Sequence, residues 1–268
     1  MLNTASIIPE SFNLFGLRFH LYGLIIALSV LILYSLTRSK LEKQGVHSSK
    51  LDIVFVSSLV LGLIGGRVGY ILFHIQEFQS ANLGQLFALN SGGIHFFGVV
   101  VGLIVALLIT SKFLKLNLIN LTDSVALFAP LAQAIGRLAN LPNLELFGEP
   151  TNLPWGIFIP ANKRPIEFTN NDFFHPTFLY EAVLNLASFF IILLISKTKS
   201  LPKGLLTAVY FMNYGLIRFF TEFYREDTEE IFLGLKLTQF ISIGVFATAF
   251  STALYLFSKQ KQSKKKAF

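Results

Sequence analysis

The sequence predicts an all-α, polytopic transmembrane bundle of about seven spans, and three observations lead there. The 268 residues are 53% hydrophobic and only 14% charged, against roughly 25% charged in an ordinary globular domain. The apolar residues gather into runs of about 20, the length a helix needs to cross the hydrocarbon core. The basic residues concentrate in alternate connections between those runs, the bias that orients membrane proteins. No composition break marks a second soluble domain, so residues 1–268 read as a single transmembrane domain.

Taken in order, Met1 to Leu17 contains no Lys or Arg, so no basic n-region precedes the first apolar run and a cleaved signal peptide is not expected. Spans are expected at 17–37, 51–74, 94–114, 118–138, 176–196, 204–224 and 235–257. Gly62, Gly65, Gly66 and Gly69 in the second and Gly98 with Gly102 in the third give the small-residue spacing of close helix packing. The stretch at about 140–175, rich in Pro and Asn and carrying Trp155, reads as an ordered interfacial loop with short strands or amphipathic pieces.

Arg38, Lys40, Lys43 and Lys50 follow span one, Lys112 and Lys115 span three, Lys197, Lys199 and Lys203 span five, and Lys259, Lys261, Lys264, Lys265 and Lys266 span seven. The positive-inside rule makes that side cytoplasmic, with the N-terminus outside and the C-terminus inside. The formal charge of +7 is then a solvated anchor beside anionic headgroups, and no nucleic-acid partner is expected. The absence of Cys excludes disulfides, thiolate metal sites and a cysteine nucleophile of the chain's own. No metal or cofactor is expected.

Arg67, Arg137, Glu181, Arg218 and Glu222 fall within or at the ends of spans, where a charge at the helix centre costs on the order of 2.5–3.5 kcal/mol. With the orientation above, all lie in the outer half, where His20, Tyr22, His95, His175, Tyr180 and Gln239 also collect. A polar cavity opening outwards is expected. Guanidinium offers phosphate a fork of permanently charged donors, and a phospholipid headgroup is the anion already present. Glu145, Glu181 and Glu222 are either ion-pair partners of the arginines or proton carriers. Glu222, four residues after Arg218 on one helical face, fits pairing.

The segment Gly136-Arg137-Leu138-Ala139-Asn140-Leu141-Pro142-Asn143-Leu144-Glu145-Leu146-Phe147-Gly148 resembles the signature of bacterial prolipoprotein diacylglyceryl transferases. His20-Leu21-Tyr22-Gly23, Gly65-Gly66-Arg67-Val68-Gly69-Tyr70, His175-Pro176-Thr177-Phe178-Leu179-Tyr180-Glu181 and Tyr214-Gly215-Leu216-Ile217-Arg218 with Glu222 and Arg225 resemble further motifs of that family. The resemblance implies a multi-pass protein of the bacterial cytoplasmic (inner) membrane. It implies transfer of the diacylglyceryl group of phosphatidylglycerol to the lipobox cysteine thiol of a preprolipoprotein, giving a thioether and glycerol phosphate. The expected partners are phosphatidylglycerol, the lipobox peptide and membrane lipids.

By the same resemblance, Arg137 and Arg218 bind the phosphate and stabilise the charge that leaves with it. Tyr22 and Tyr214 donate hydrogen bonds, and Asn140, Asn143, Glu145 and Gly148 shape the headgroup site, with His20, Arg67, Tyr180, Glu181 and Glu222 in the same set. The family's third-span motif begins His-Gly-Gly, its histidine a proposed base for the thiol; here the register gives Phe97-Gly98-Val99. His95 lies two positions earlier. A two-residue offset turns a helical side chain by about 200°, whereas in extended chain positions 95 and 97 share a face. Leu141 and Pro142 replace the usual Phe and an apolar residue, and the proline is expected to end span four near Asn140. Three readings stay open: a transferase with His95 as its base, a paralogue for a different lipid or acceptor, and a non-catalytic phospholipid-binding protein. The retained arginines favour the first.

Overall fold

The computed structural model describes residues 9–76, 78, 93–225 and 230–266. The stretch before Pro9 and the side chains of Lys264, Lys265 and Lys266 lie outside that description. The chain is mostly helical, with helices α1 (Leu21–Glu42), α2 (Ser48–Phe73), α3 (Phe96–Phe113), α4 (Leu118–Arg137), α5 (Asn140–Asn143), α6 (Thr177–Ser196), α7 (Leu205–Thr221) and α8 (Leu237–Lys266). Six of these are long and apolar enough to cross a membrane: α1, α2, α3, the stretch from α4 through α5, α6 and α8. The other expected span is α7, whose 17 residues stand at the lower limit for a crossing helix.

The burial pattern is that of a protein solvated by lipid. Leu24, Leu28 and Leu31 of α1 and Val101, Ile104, Val105 and Leu108 of α3 are exposed, while Ser29, Thr110, Asn185, Ser188 and Ser242 are buried. Contiguous apolar surface on this scale is foreign to a soluble monomer. The polar residues inside satisfy themselves locally, as Thr110 Oγ1 does on the Ala106 carbonyl at 2.6 Å and Asn185 Nδ2 on the Glu181 carbonyl at 2.8 Å.

Two compact units form. The first comprises Met1–Thr37 and Thr122–Phe268, the second Arg38–Leu121. In the second, α2 and α3 pack backbone to backbone through their glycines: a Cβ on Gly69 would stand 3.0 Å from Gly98 Cα, and one on Gly65 or Gly102 would overlap backbone of the facing helix. The spacing seen in the sequence is thus helix packing. Leu41, Leu51, Val54 and Leu121 form a small core at the other end of these helices.

In the first unit, residues 17–20 do not begin the first span. Strands β1 (Ser11–Leu14) and β2 (Leu17–His20) pair antiparallel with Leu14 opposite Leu17. Phe15 and Gly16 at the tip both take positive φ, 51° and 79°, the geometry of a two-residue hairpin turn. The Leu21 N–H then donates to the Glu10 carbonyl, so the helix starts only after the hairpin closes. Strands β3 (Ile157–Phe158) and β4 (Phe173–Phe174) pair within the loop after α5, around a core of Leu144, Ile157, Ile159, Phe174 and Phe178. The loop after α5 thus carries a short two-stranded sheet. A last hairpin, β5 (Glu230–Phe232) with β6 (Leu235–Lys236), leads into α8. Asp123 of α4 caps α7 across the unit, accepting from the Gly204 N–H at 2.7 Å and the Thr207 N–H at 2.9 Å.

Candidate active site

Arg137 ends α4, Glu181 lies in the first turns of α6, and Arg218 lies in the last turn of α7. All three reach one end of the first unit. A 3-10 turn, Glu222–Tyr224, continues α7 and adds Glu222 and Arg225. Glu181 is 2% exposed and Glu222 1%, so neither carboxylate is tenable there without partners.

The partners are the arginines. Arg218 Nη1 donates to Glu181 Oε1 at 2.8 Å and Arg218 Nη2 to Glu222 Oε2 at 2.8 Å. Arg137 Nη2 pairs with Glu181 Oε2, and Arg225 Nη1 approaches Glu181 Oε1 at 3.9 Å. Among the described residues, three guanidiniums stand around two carboxylates. Of the two functions open to Glu181 and Glu222, the geometry displays ion pairing.

The arginines are not equivalent. Arg218 spends both terminal nitrogens on carboxylates and its side chain is 16% exposed. Arg137 spends Nη2 alone, its other guanidinium N–H groups making no hydrogen bond among the described residues, and its side chain is 27% exposed. Arg137, the more exposed of the two, therefore keeps more donors for an incoming anion.

Beyond Arg137 the backbone breaks and reforms as α5. Helix α4 stops three residues short of Asn140, near where Pro142 was expected to end it. Asn140 is buried and its Nδ2 donates to the Arg137 carbonyl at 3.1 Å. Leu144 and Leu146 take φ of 50° and 53°, a left-handed conformation that costs a branched residue of order 1–3 kcal/mol. Between them Glu145 accepts from Asn143 Nδ2 at 3.0 Å. Asn140, Asn143 and Glu145 line a cavity of about 640 Å³ with Tyr22, Phe147 and Lys163, of a size suited to a small polar ligand.

Gly148 supports this wall. A Cβ there would overlap the Tyr224 carbonyl, which accepts from the Glu149 N–H at 3.1 Å, while the Gly148 N–H donates to the His175 carbonyl at 2.8 Å. Tyr180 joins a separate chain. The Trp155 indole N–H donates to the Tyr180 hydroxyl at 2.9 Å, and that hydroxyl lies 2.9 Å from His175 Nδ1. Because indole only donates, the Tyr180 hydroxyl accepts from Trp155, and the direction of its bond to His175 follows the imidazole tautomer. Burial pushes the His175 pKa down, opposed in part by Glu149.

The remaining expected site residues are placed as follows. Tyr214, on α7 one turn before Arg218, is half-buried beside Tyr210. His20 ends β2, exposed and opposite Ser11. Arg67 and His95 belong to the second unit. Arg67 is buried, with Nη1 on the Gly93 carbonyl at 3.2 Å and its guanidinium 5.5 Å from the ring centres of Tyr70 and Phe78. His95 is extended, φ −95° and ψ 127°, and immediately precedes α3. Its ring stacks on Phe73 at 4.2 Å and its buried Nδ1 has no hydrogen-bond partner among the described residues. Phe97 is exposed, its ring 5.8 Å from that of His95.

Lys163 and Trp155 were assigned no site role from the sequence. Lys163 had one usable signal, a basic residue in a loop where the orientation expected from the sequence predicts few.

The family model described as "Prolipoprotein diacylglyceryl transferase" matches residues 9–255. Three relatives named phosphatidylglycerol--prolipoprotein diacylglyceryl transferase give the scale of similarity. That of Thermotoga maritima is 32% identical over 260 residues, covering 96% of this chain and 87% of its own. That of Synechocystis sp. is 33% identical over 259 residues, covering 94% and 90%. That of Acaryochloris marina is 35% identical over 237 residues, covering 88% and 85%.

Proposed function

The chain belongs to the prolipoprotein diacylglyceryl transferase family and is a multi-pass diacylglyceryl transferase; from that premise we propose how its residues carry the transfer. The donor is phosphatidylglycerol and the acceptor is the lipobox cysteine thiol of a preprolipoprotein. The thiol sulfur attacks the diacylglyceryl carbon that bears the phosphate, a C–S bond forms as the C–O bond breaks, and glycerol phosphate leaves with the electron pair. The arginine end of the first unit faces outwards, with the C-terminus cytoplasmic, in the bacterial inner membrane.

The observation that carries this reading is the Arg137–Glu181–Arg218 network. Its guanidiniums suit the phosphate as charge builds on the leaving oxygen, and preorganised donors act there without reorganising in the transition state. Glu181, held between two guanidiniums, fixes their positions, and Arg137 supplies the available N–H groups. Asn143 and Glu145 receive the glycerol hydroxyls, and Tyr22 and Tyr214 complete the hydrogen bonding. The thiol proton goes to His95, whose Nδ1 has no hydrogen-bond partner among the described residues, imidazole being a side chain suited to general-base work.

The test supplies purified protein with phosphatidylglycerol vesicles and a lipobox peptide. A thioether-linked diacylglyceryl peptide and released glycerol phosphate are expected. Their absence, under conditions where the Thermotoga maritima relative turns over, would refute the proposal.

A further inference from the structure

The headgroup cavity contains a cation that the arginine network does not include. Lys163 lines the cavity of about 640 Å³ together with Asn143 and Glu145. Its Nζ donates to the Asn143 carbonyl at 2.7 Å and pairs with Glu10, a side chain 53% exposed. Both backbones are anchored. The Leu21 N–H holds the Glu10 carbonyl. Arg164, next to Lys163, is fastened to the Ile159 carbonyl at 2.7 Å, the Thr169 carbonyl at 2.9 Å and Asp172 at 2.6 Å. Position 163 is therefore fixed, while the lysine ammonium swings on a flexible stem.

The Glu10 pair is one that can be exchanged. Lys163 holds the Glu10 carboxyl below its usual pKa, yet ion pairs this exposed contribute little and give way to a stronger partner. A phosphodiester is such a partner. In the same cavity, the Asn143–Glu145 pair offers acceptors that suit the hydroxyls of a polyol. By itself the Glu145 carboxylate would also attract an ammonium headgroup. A cation in the same cavity opposes that binding and leaves a neutral diol unaffected.

We propose that Lys163 selects the lipid headgroup: it trades Glu10 for the phosphodiester of the bound lipid, and its charge excludes headgroups that carry an ammonium. The proposal rests on the reading of the chain as a phosphatidylglycerol-consuming transferase and adds the residue that discriminates among phospholipids. Lys163 is a binding residue and takes no part in bond making.

The test uses full-length protein in nanodiscs of phosphatidylglycerol, phosphatidylethanolamine or their mixture. Lipid retention by native mass spectrometry and transfer to a lipobox peptide are both read. Lys163→Gln should raise KM for phosphatidylglycerol about tenfold with kcat within about twofold, the scale of one charge-assisted hydrogen bond, and phosphatidylethanolamine should become a competitor. Lys163→Arg should restore both. Glu10→Gln should leave KM unchanged or lower it, because it removes only a rival for the ammonium. Inhibition by soluble glycerol phosphate should weaken in Lys163→Gln by the same factor, which separates headgroup recognition from acyl-chain binding. Equal weakening by Glu10→Gln and Lys163→Gln would show a structural tie and overturn the proposal, as would unchanged lipid selectivity in Lys163→Gln. If the wild type retains phosphatidylglycerol without transferring it, the functional reading fails while the retention data still decide the role of Lys163.

Discussion

Arg218 Nη1 meets Glu181 Oε1 at 2.8 Å, and the other oxygen of the same carboxylate meets Arg137. One buried carboxylate thus joins α4, α6 and α7 and sets the spacing between two guanidiniums.

Glu181→Gln should therefore do more harm than Glu222→Gln. Removing one member of a buried ion pair costs on the order of 3–5 kcal/mol, so the melting temperature should fall along with activity. Arg218 keeps Glu181 when Glu222 is neutralised, so that variant should retain more of both. Thermal melts and initial rates of the two proteins decide; equal losses would contradict the shared-carboxylate arrangement.

Arg137→Lys keeps the charge but loses the planar fork. If Arg137 supplies donors to the leaving phosphate, kcat should fall by about 10²–10³, the usual scale for losing one such donor. Arg218, which bridges Glu181 and Glu222, should respond differently, Arg218→Lys lowering stability as well as rate. Steady-state kinetics with a lipobox peptide, run beside melts, separates the two.

His95→Ala should abolish transfer if His95 takes the thiol proton, with a loss of at least about 10² expected for a general base. Adding Phe97→His to that variant should recover part of the rate. Full activity in His95→Ala would exclude His95 as the base.

Stability should depend on pH through His175. Its folded pKa lies below the ordinary 6.5 because burial disfavours the cation. The unfolded chain accordingly takes up this proton first as pH falls. The contribution is complete above about 6.5, is lost as pH drops through the window down to the folded pKa, and is constant below it. Melting temperatures from pH 8 to 5 should show a slope there that His175→Gln reduces, since glutamine does not titrate.

The membrane fold was legible because lipid imposes its rules on sequence directly. Span length, basic loops and the glycines of α2 and α3 are local signals, and the helices formed close to the expected positions. The first span is the instructive difference: Leu17 to His20 are as compatible with helix as with strand, and the Phe15-Gly16 turn commits them to the hairpin. Arg137, Glu181, Arg218 and Glu222 could be named in advance because a charge in a span is costly wherever it falls.

What the sequence alone determined was the solvent this protein folds in, its family signature and the identity of its costly residues, since hydropathy and motif spacing are properties of the chain. Only the tertiary structure decided which carboxylate pairs with which guanidinium, that Arg137 spends fewer of its donors on carboxylates than Arg218, and that Lys163 and Glu10, 153 positions apart, meet. Electrostatic partnership depends on distances of a few ångströms between elements remote in sequence, and no local pattern records them.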